Sequence, residues 1–248
     1  MLTLLLKNLN NNFNELATVK TNSIQWIDSP MKGVQRKPLD RVGNEVARAT
    51  SLVKYDAGSY FSPHVHGGGE EFLVLEGVFQ DEKGDYPKLT YVRNPPQSNH
   101  KPQSENGCII FVKLWQFEPD DQQHVVKHCS LENCSQNTKQ VLFESENEVV
   151  EFYELTNLDD LLFENHTGLE LFVIEGEVTV EFIGNDSLTN RTIEQLKQFD
   201  WQRQPINTSC KISLTNLESN NNEERAKIWI KRNHLINVRE QLSRLEQQ

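Results

Sequence analysis

Four residues of this 248-residue chain carry side chains that a transition metal needs: His64, His66, Glu70 and His100. Neutral imidazole nitrogens with a carboxylate oxygen suit zinc, iron, nickel or manganese. Spacing carries as much information as residue type. In an extended strand His64 and His66 project to one face, because side chains alternate with period two. Glu70 opens an apolar strand that ends at Gly77. His100 follows the turn-rich stretch Asn94-Pro-Pro-Gln-Ser-Asn99, so a different strand can deliver it to the same point.

Those ligands need a β scaffold, and the surrounding sequence predicts one. Residues 47–55, 70–79, 89–92 and 108–117 are β-branched or aromatic runs separated by Gly, Pro, Asn and Asp turns. Many short strands at this spacing imply a sandwich or barrel with jelly-roll connections. Helical periodicity is confined to the ends. A short helix is expected around Phe13–Val19, and a better one from Leu235, with Leu235, Val238, Leu242 and Leu245 on one stripe.

The pattern G-x5-H-x-H-x3-E-x6-G, met at Gly58, His64, His66, Glu70 and Gly77, is similar to the first motif of the cupin superfamily. Its second motif is met in part, by Pro95 and His100, with Gln97 where the glycine usually stands. Residues 41–50, 69–81, 84–87, 90–96 and 107–113 resemble the ChrR-type cupins, and the resemblance runs over about residues 24 to 118. It implies a metal-binding barrel with His64, His66, Glu70 and His100 as ligands. The motif spacing selects Glu70 and leaves Glu71 outside, since neighbours on a strand face opposite sides. In ChrR-type anti-sigma factors the barrel responds to singlet oxygen, and a separate N-terminal zinc-binding domain holds the sigma factor. The stretch before Trp26 is too short for such a domain and has neither histidine nor cysteine.

The chain also repeats itself. Glu71-Phe-Leu-Val-Leu-Glu-Gly77 returns as Glu170-Leu-Phe-Val-Ile-Glu-Gly176. The expected fold is therefore all-β, two tandem cupin (jelly-roll, RmlC-like) barrels with short terminal helices. The division is a 1–19 N-terminal segment, a 20–119 ChrR-like barrel with the metal site, a 120–140 linker, a 141–234 second, degenerate barrel and a 235–248 helix. Phe163, Asn165 and Leu169 stand where His64, His66 and Glu70 stand in the first copy, so the second site is expected to be empty. Within the linker, His124, His128, Cys129 and Cys134 could be written as a zinc site. The segment is polar and lacks a C-x2-C pair, and it reads instead as solvated chain.

Thirty-six acidic against 25 basic residues give a net charge of -11, which argues against a nucleic-acid partner. No run of 18 apolar residues predicts a membrane span, and residues 1–6 lack the basic start of a signal peptide. A cytoplasmic location follows by default. Cys108 and Cys210 open apolar strands and are expected to be small buried hydrophobes.

Two functions fit one divalent metal. Zinc in a closed four-ligand shell would make a sensory or ligand-responsive module in stress-linked regulation without its own anti-sigma domain. Iron, nickel or manganese with two open positions would make a dioxygenase for a small diketone or hydroxylated aromatic ketone. Tyr60, Phe61, Arg48, Phe72, Val74 and Trp115 are candidate lining residues, with core packing their first role. Arg48 is expected to pair with a nearby acid. A small-molecule ligand and a homodimer are the partners left open.

Overall fold

The computed structural model describes residues 8–131, 138–156, 160–184, 191–215 and 225–247. Residues 1–6 and Cys134 lie outside them. Contacts divide the chain into two compact units. The first comprises Met1–Asn11, Ile24–Cys129 and Arg239–Gln248; the second comprises Asn12–Ser23 and Ser130–Val238.

In the first unit the antiparallel ladder runs Val34–Gly43, Ala47–Tyr55, Cys108–Leu114, Glu70–Asp81, Thr90–Asn94. In the second it runs Thr138–Glu144, Val149–Leu155, Ala226–Arg232, Leu161–Glu175, Trp201–Leu214. The order is the same in both: two neighbouring strands, then the last of the set, then the third and fourth. The sequence repeat is thus a repeat of topology, and each copy is a jelly-roll barrel. Inward positions alternate as period two demands. Phe72, Val74, Val92, Ile110 and Val112 fill the first barrel, and Leu169, Leu171, Val173, Ile212 and Ile228 fill the second. Each such side chain contributes roughly 1.5–3 kcal/mol on burial.

The opposite sheet faces are buried too, and they carry charge. Glu71 lies in register between Arg93 and Lys113; Glu170 lies in register between Arg203 and Lys231. All six side chains are buried. Glu71 therefore does not reach solvent when it turns away from the barrel interior. It accepts the Tyr91 hydroxyl at 2.7 Å. Charged groups tolerate burial only when paired or hydrogen-bonded, which explains why these positions repeat as a set.

Four expectations need correction. No N-terminal helix forms around Phe13: Ala17–Val19 is a strand paired with residues 201–203 of the second barrel. Edge pairing has overridden a weak helical pattern, so a segment that precedes the first barrel in sequence belongs to the second. Residues 120–140 are not all linker, because Val125–His128 pairs with Thr90–Asn94 and Cys129 is buried. His128 lies in this strand and His124 just before it, and neither belongs to the one group of converging ligand atoms among the described residues. The fourth apolar run of the first barrel, 108–117, also stops early, at Leu114, where Trp115 turns to φ 59°. The C-terminal helix, Val238–Glu246, begins three residues later than its apolar stripe; Leu235 is buried before it starts. Arg244 anchors it to Glu118 at 3.0 Å.

The second barrel holds a buried carboxylate with a clear pH signature. Glu151 is 1% exposed and accepts Lys139 at 2.8 Å, Arg232 at 2.9 Å and the Tyr153 hydroxyl at 3.0 Å. Burial raises its proton affinity, but these donors outweigh it and hold Glu151 below the usual glutamate range. A carboxylate depressed on folding adds stability above its unfolded pKa and loses it as pH falls through the folded value. Glu151→Gln is expected to lower unfolding free energy at neutral pH by on the order of 2 kcal/mol. Urea melts of parent and variant should converge only as the pH falls below the usual glutamate range and through the depressed folded value of Glu151.

Candidate metal centre

The first barrel places its candidate ligands through three local devices. His64–Val65 pairs with Asn99–His100, setting His64 directly opposite His100. The amide of His66 donates to the Ser98 carbonyl at 2.9 Å, and the Gln97 amide donates to the His66 carbonyl at 2.8 Å. Gln97 adopts φ 68°, the left-handed region, which explains why glycine is usual there; a non-glycine residue accepts a cost of roughly 1 kcal/mol. Glu70 comes from the long strand Glu70–Asp81 and faces Asn94 across the ladder. The glycines before it leave room for an aromatic lid: a Cβ on Gly67 would lie 2.6 Å from the Trp115 ring, and one on Gly68 would also strike it.

These devices converge. One ligand atom from each of His64, His66, Glu70 and His100 lies within 4.8 Å of the others, and among the described residues this is the one such group. The three imidazoles stand edge to face, with centroids 4.7–5.2 Å apart. Nε2 of His66 and Nε2 of His100 lie 3.4 and 3.5 Å from the same Glu70 oxygen. Both nitrogens are buried without a hydrogen-bond partner. Two buried ring nitrogens left bare beside a carboxylate are costly in an empty polar cluster and ordinary around a cation. The donor set therefore suits a divalent metal.

Outer contacts fix which nitrogens are presented. Nδ1–H of His64 donates to the Ser62 carbonyl at 2.8 Å, and Nδ1–H of His100 donates to Asp81 at 3.1 Å. A carbonyl and a carboxylate can only accept here, so each ring keeps its Nε2 lone pair for the centre. Asn94 donates to Glu70 at 3.1 Å and orients the carboxylate. Burial pushes His66 below the usual histidine range, against the opposing charge of Glu70, which favours its neutral form. His100 is also desolvated, but the Asp81 hydrogen bond and the Glu70 charge carry it above that range.

All four predicted ligands are thus brought together. Of the candidate lining residues, Phe61 stacks edge-on to His64 at 5.4 Å, while Phe72 and Val74 belong to the core beneath. Tyr60 is exposed, and Trp115 covers the glycine loop. Arg48 points to the sheet face opposite Val53 and Tyr55 and pairs with Asp40 at 3.2 Å. Sequence reasoning assigned no role to Asp81 or Asn94. Asp81 carried no signal of its own, and Asn94 matters only once its register with Glu70 is known. In the second barrel Leu169 is packed in the core, and Glu170 is held by the Trp201 indole at 2.6 Å and His234 at 3.2 Å. Beside the first centre a cleft of about 480 Å³ opens, lined by His64, Val65, Asn99, His100 and Lys101 among others. No described helix is long and apolar enough to cross a membrane.

Residues 14–118 match the family described as ChrR cupin-like domain. A comparison with curated proteins gives no match. Ylba from E. coli superposes with a TM-score of 0.67 at 12% identity, over 90% of this chain and 93% of that one. A candidate dioxygenase from Nostoc punctiforme gives 0.64 at 11% identity, over 88% and 82%. Oxalate decarboxylase from Lactobacillus farciminis, a formate complex, gives 0.63 at 9% identity, over 89% and 86%. At these identities the likeness is one of fold, and the fold is a pair of cupin barrels.

Proposed function

With residues 14–118 as a ChrR cupin-like domain, we propose that this chain binds one zinc ion and uses the centre as a sensory or ligand-responsive module in stress-linked regulation. The observation that carries the reading is the convergence of four protein donors, His64, His66, Glu70 and His100, the number that closes a tetrahedral zinc shell. The Glu70 oxygen lies 3.4 and 3.5 Å from the bare nitrogens of His66 and His100. Bound zinc would supply a fixed positive charge, with its four positions taken by protein ligands. The chain's own residues do the selecting. Phe61 and Phe79 flank the histidine rings, while half-buried His64 and buried His100 face the cleft through which a small molecule would arrive.

That cleft also favours a second reading. A dioxygenase needs a route for substrate to ligands that hold iron, nickel or manganese, and the His64–His100 side provides one. The two readings separate in one preparation. Protein expressed without added metal should carry zinc and show no oxygen uptake with β-diketones or hydroxylated aromatic ketones. Stoichiometric iron or manganese with oxygen consumption on those substrates would replace the sensor with the enzyme.

A further inference from the structure

We propose that Asp81 is the positioning residue of the centre: it dictates the tautomer in which His100 meets the metal. The proposal rests on the four-ligand site but not on which metal fills it. Asp81 closes the long strand Glu70–Asp81, and its side chain is 3% exposed. Both of its oxygens are committed. Oδ1 accepts the Lys83 amide at 2.8 Å and the Tyr86 hydroxyl at 3.2 Å. Oδ2 accepts from His100 Nδ1 at 3.1 Å. With two donors already on Oδ1, the carboxylate has one orientation, and an acceptor must face the ring. His100 is therefore protonated at Nδ1, and its buried Nε2 keeps the lone pair aimed at Glu70 and His66. The next residue supports the same strand: Glu82 accepts the Lys101 amide at 2.9 Å. Two consecutive residues of one hairpin tip thus hold two consecutive residues that include a ligand.

The chemistry makes an unusual prediction for the isosteric variant. In D81N the carboxamide oxygen must stay with the Lys83 and Tyr86 donors. Its NH2 then faces His100 Nδ1, which demands the opposite tautomer and puts a proton on Nε2, where the metal should bind. Asp81→Asn should accordingly weaken zinc binding at least as much as Asp81→Ala, by about 10–100-fold in chelator competition. A role in packing alone would rank them the other way. Nitrogen-15 NMR of the metal-free protein, at a pH high enough for His100 to be neutral, supplies a readout independent of loading: Nδ1–H at His100 in the parent, Nε2–H in D81N. In a His100→Ala background, Asp81→Ala should change residual affinity by less than about twofold. The proposal is overturned if the His100 tautomer is the same in parent and D81N, if D81N binds zinc like the parent, or if the Asp81 effect persists without His100. If the parent fails to bind zinc while the tautomers differ as stated, the zinc reading fails and the positioning role stands.

Discussion

Replacing His66 by alanine, or Glu70 by glutamine, is expected to lower metal affinity by more than about 100-fold, beyond the range for outer partners. Each change removes one of four ligands, and the reasons differ. His66 Nε2 is buried beside the Glu70 oxygen, so its loss leaves a gap no other described donor fills. Glu70 supplies the only carboxylate in the cluster, and glutamine removes the negative charge that attracts the ion. Neither substitution should unfold the metal-free protein, since bare ring nitrogens are a burden to it. Metal binding favours the folded state by about 4 kcal/mol when free metal exceeds the dissociation constant 1,000-fold. Chelator should therefore lower the melting temperature of the parent and leave both variants unmoved. Competition titration with a chromogenic chelator, read beside thermal melts, checks both statements; parent-like affinity in either variant would refute the ligand assignment.

The second large effect is on stability. Gly58 and Gly77 occupy two glycine positions of the same motif, and both adopt positive φ, 73° and 70°. Their surroundings differ. A Cβ on Gly58 meets nothing within 4 Å, whereas a Cβ on Gly77 would run into the carbonyl oxygen of Gly107, just before the neighbouring strand Cys108–Leu114. Gly58→Ala should cost about 1 kcal/mol, the price of the backbone conformation alone. Gly77→Ala adds a clash with backbone that has no side-chain freedom, and should cost about 3 kcal/mol or more. Urea denaturation of the two variants is the test, and equal losses would contradict it. Gly176 repeats the feature in the second barrel, at φ 82°, where an added Cβ would lie 2.5 Å from the Arg225 carbonyl oxygen. The recurrence of Glu-Gly at the end of the repeated strand thus reflects one steric requirement met twice.

Much of this was legible because period and spacing are local. Alternation put His64 and His66 on one side and separated Glu70 from Glu71. The repeat of Glu71–Gly77 at Glu170–Gly176 announced two barrels, and Leu169 at the place of Glu70 announced a second interior without that ligand. Pairing between distant strands was not legible. Asn94 against Glu70, Asp81 against His100 and residues 17–19 against 201–203 are joined across tens of residues, and no local pattern records them. Burial was not legible for the same reason. Glu71 looks like a solvent-facing charge until its register between Arg93 and Lys113 is seen.

The central claim is that one divalent metal is held by three imidazoles and one carboxylate in the first barrel. Elemental analysis of the purified chain, combined with X-ray absorption at the edge of the metal found, tests it most directly. The account predicts one equivalent of metal, zinc under the proposed function, with three histidine nitrogens and one carboxylate oxygen about 2.0–2.2 Å away. Protein that stays metal-free in excess zinc, or a shell without imidazole scattering, would contradict it.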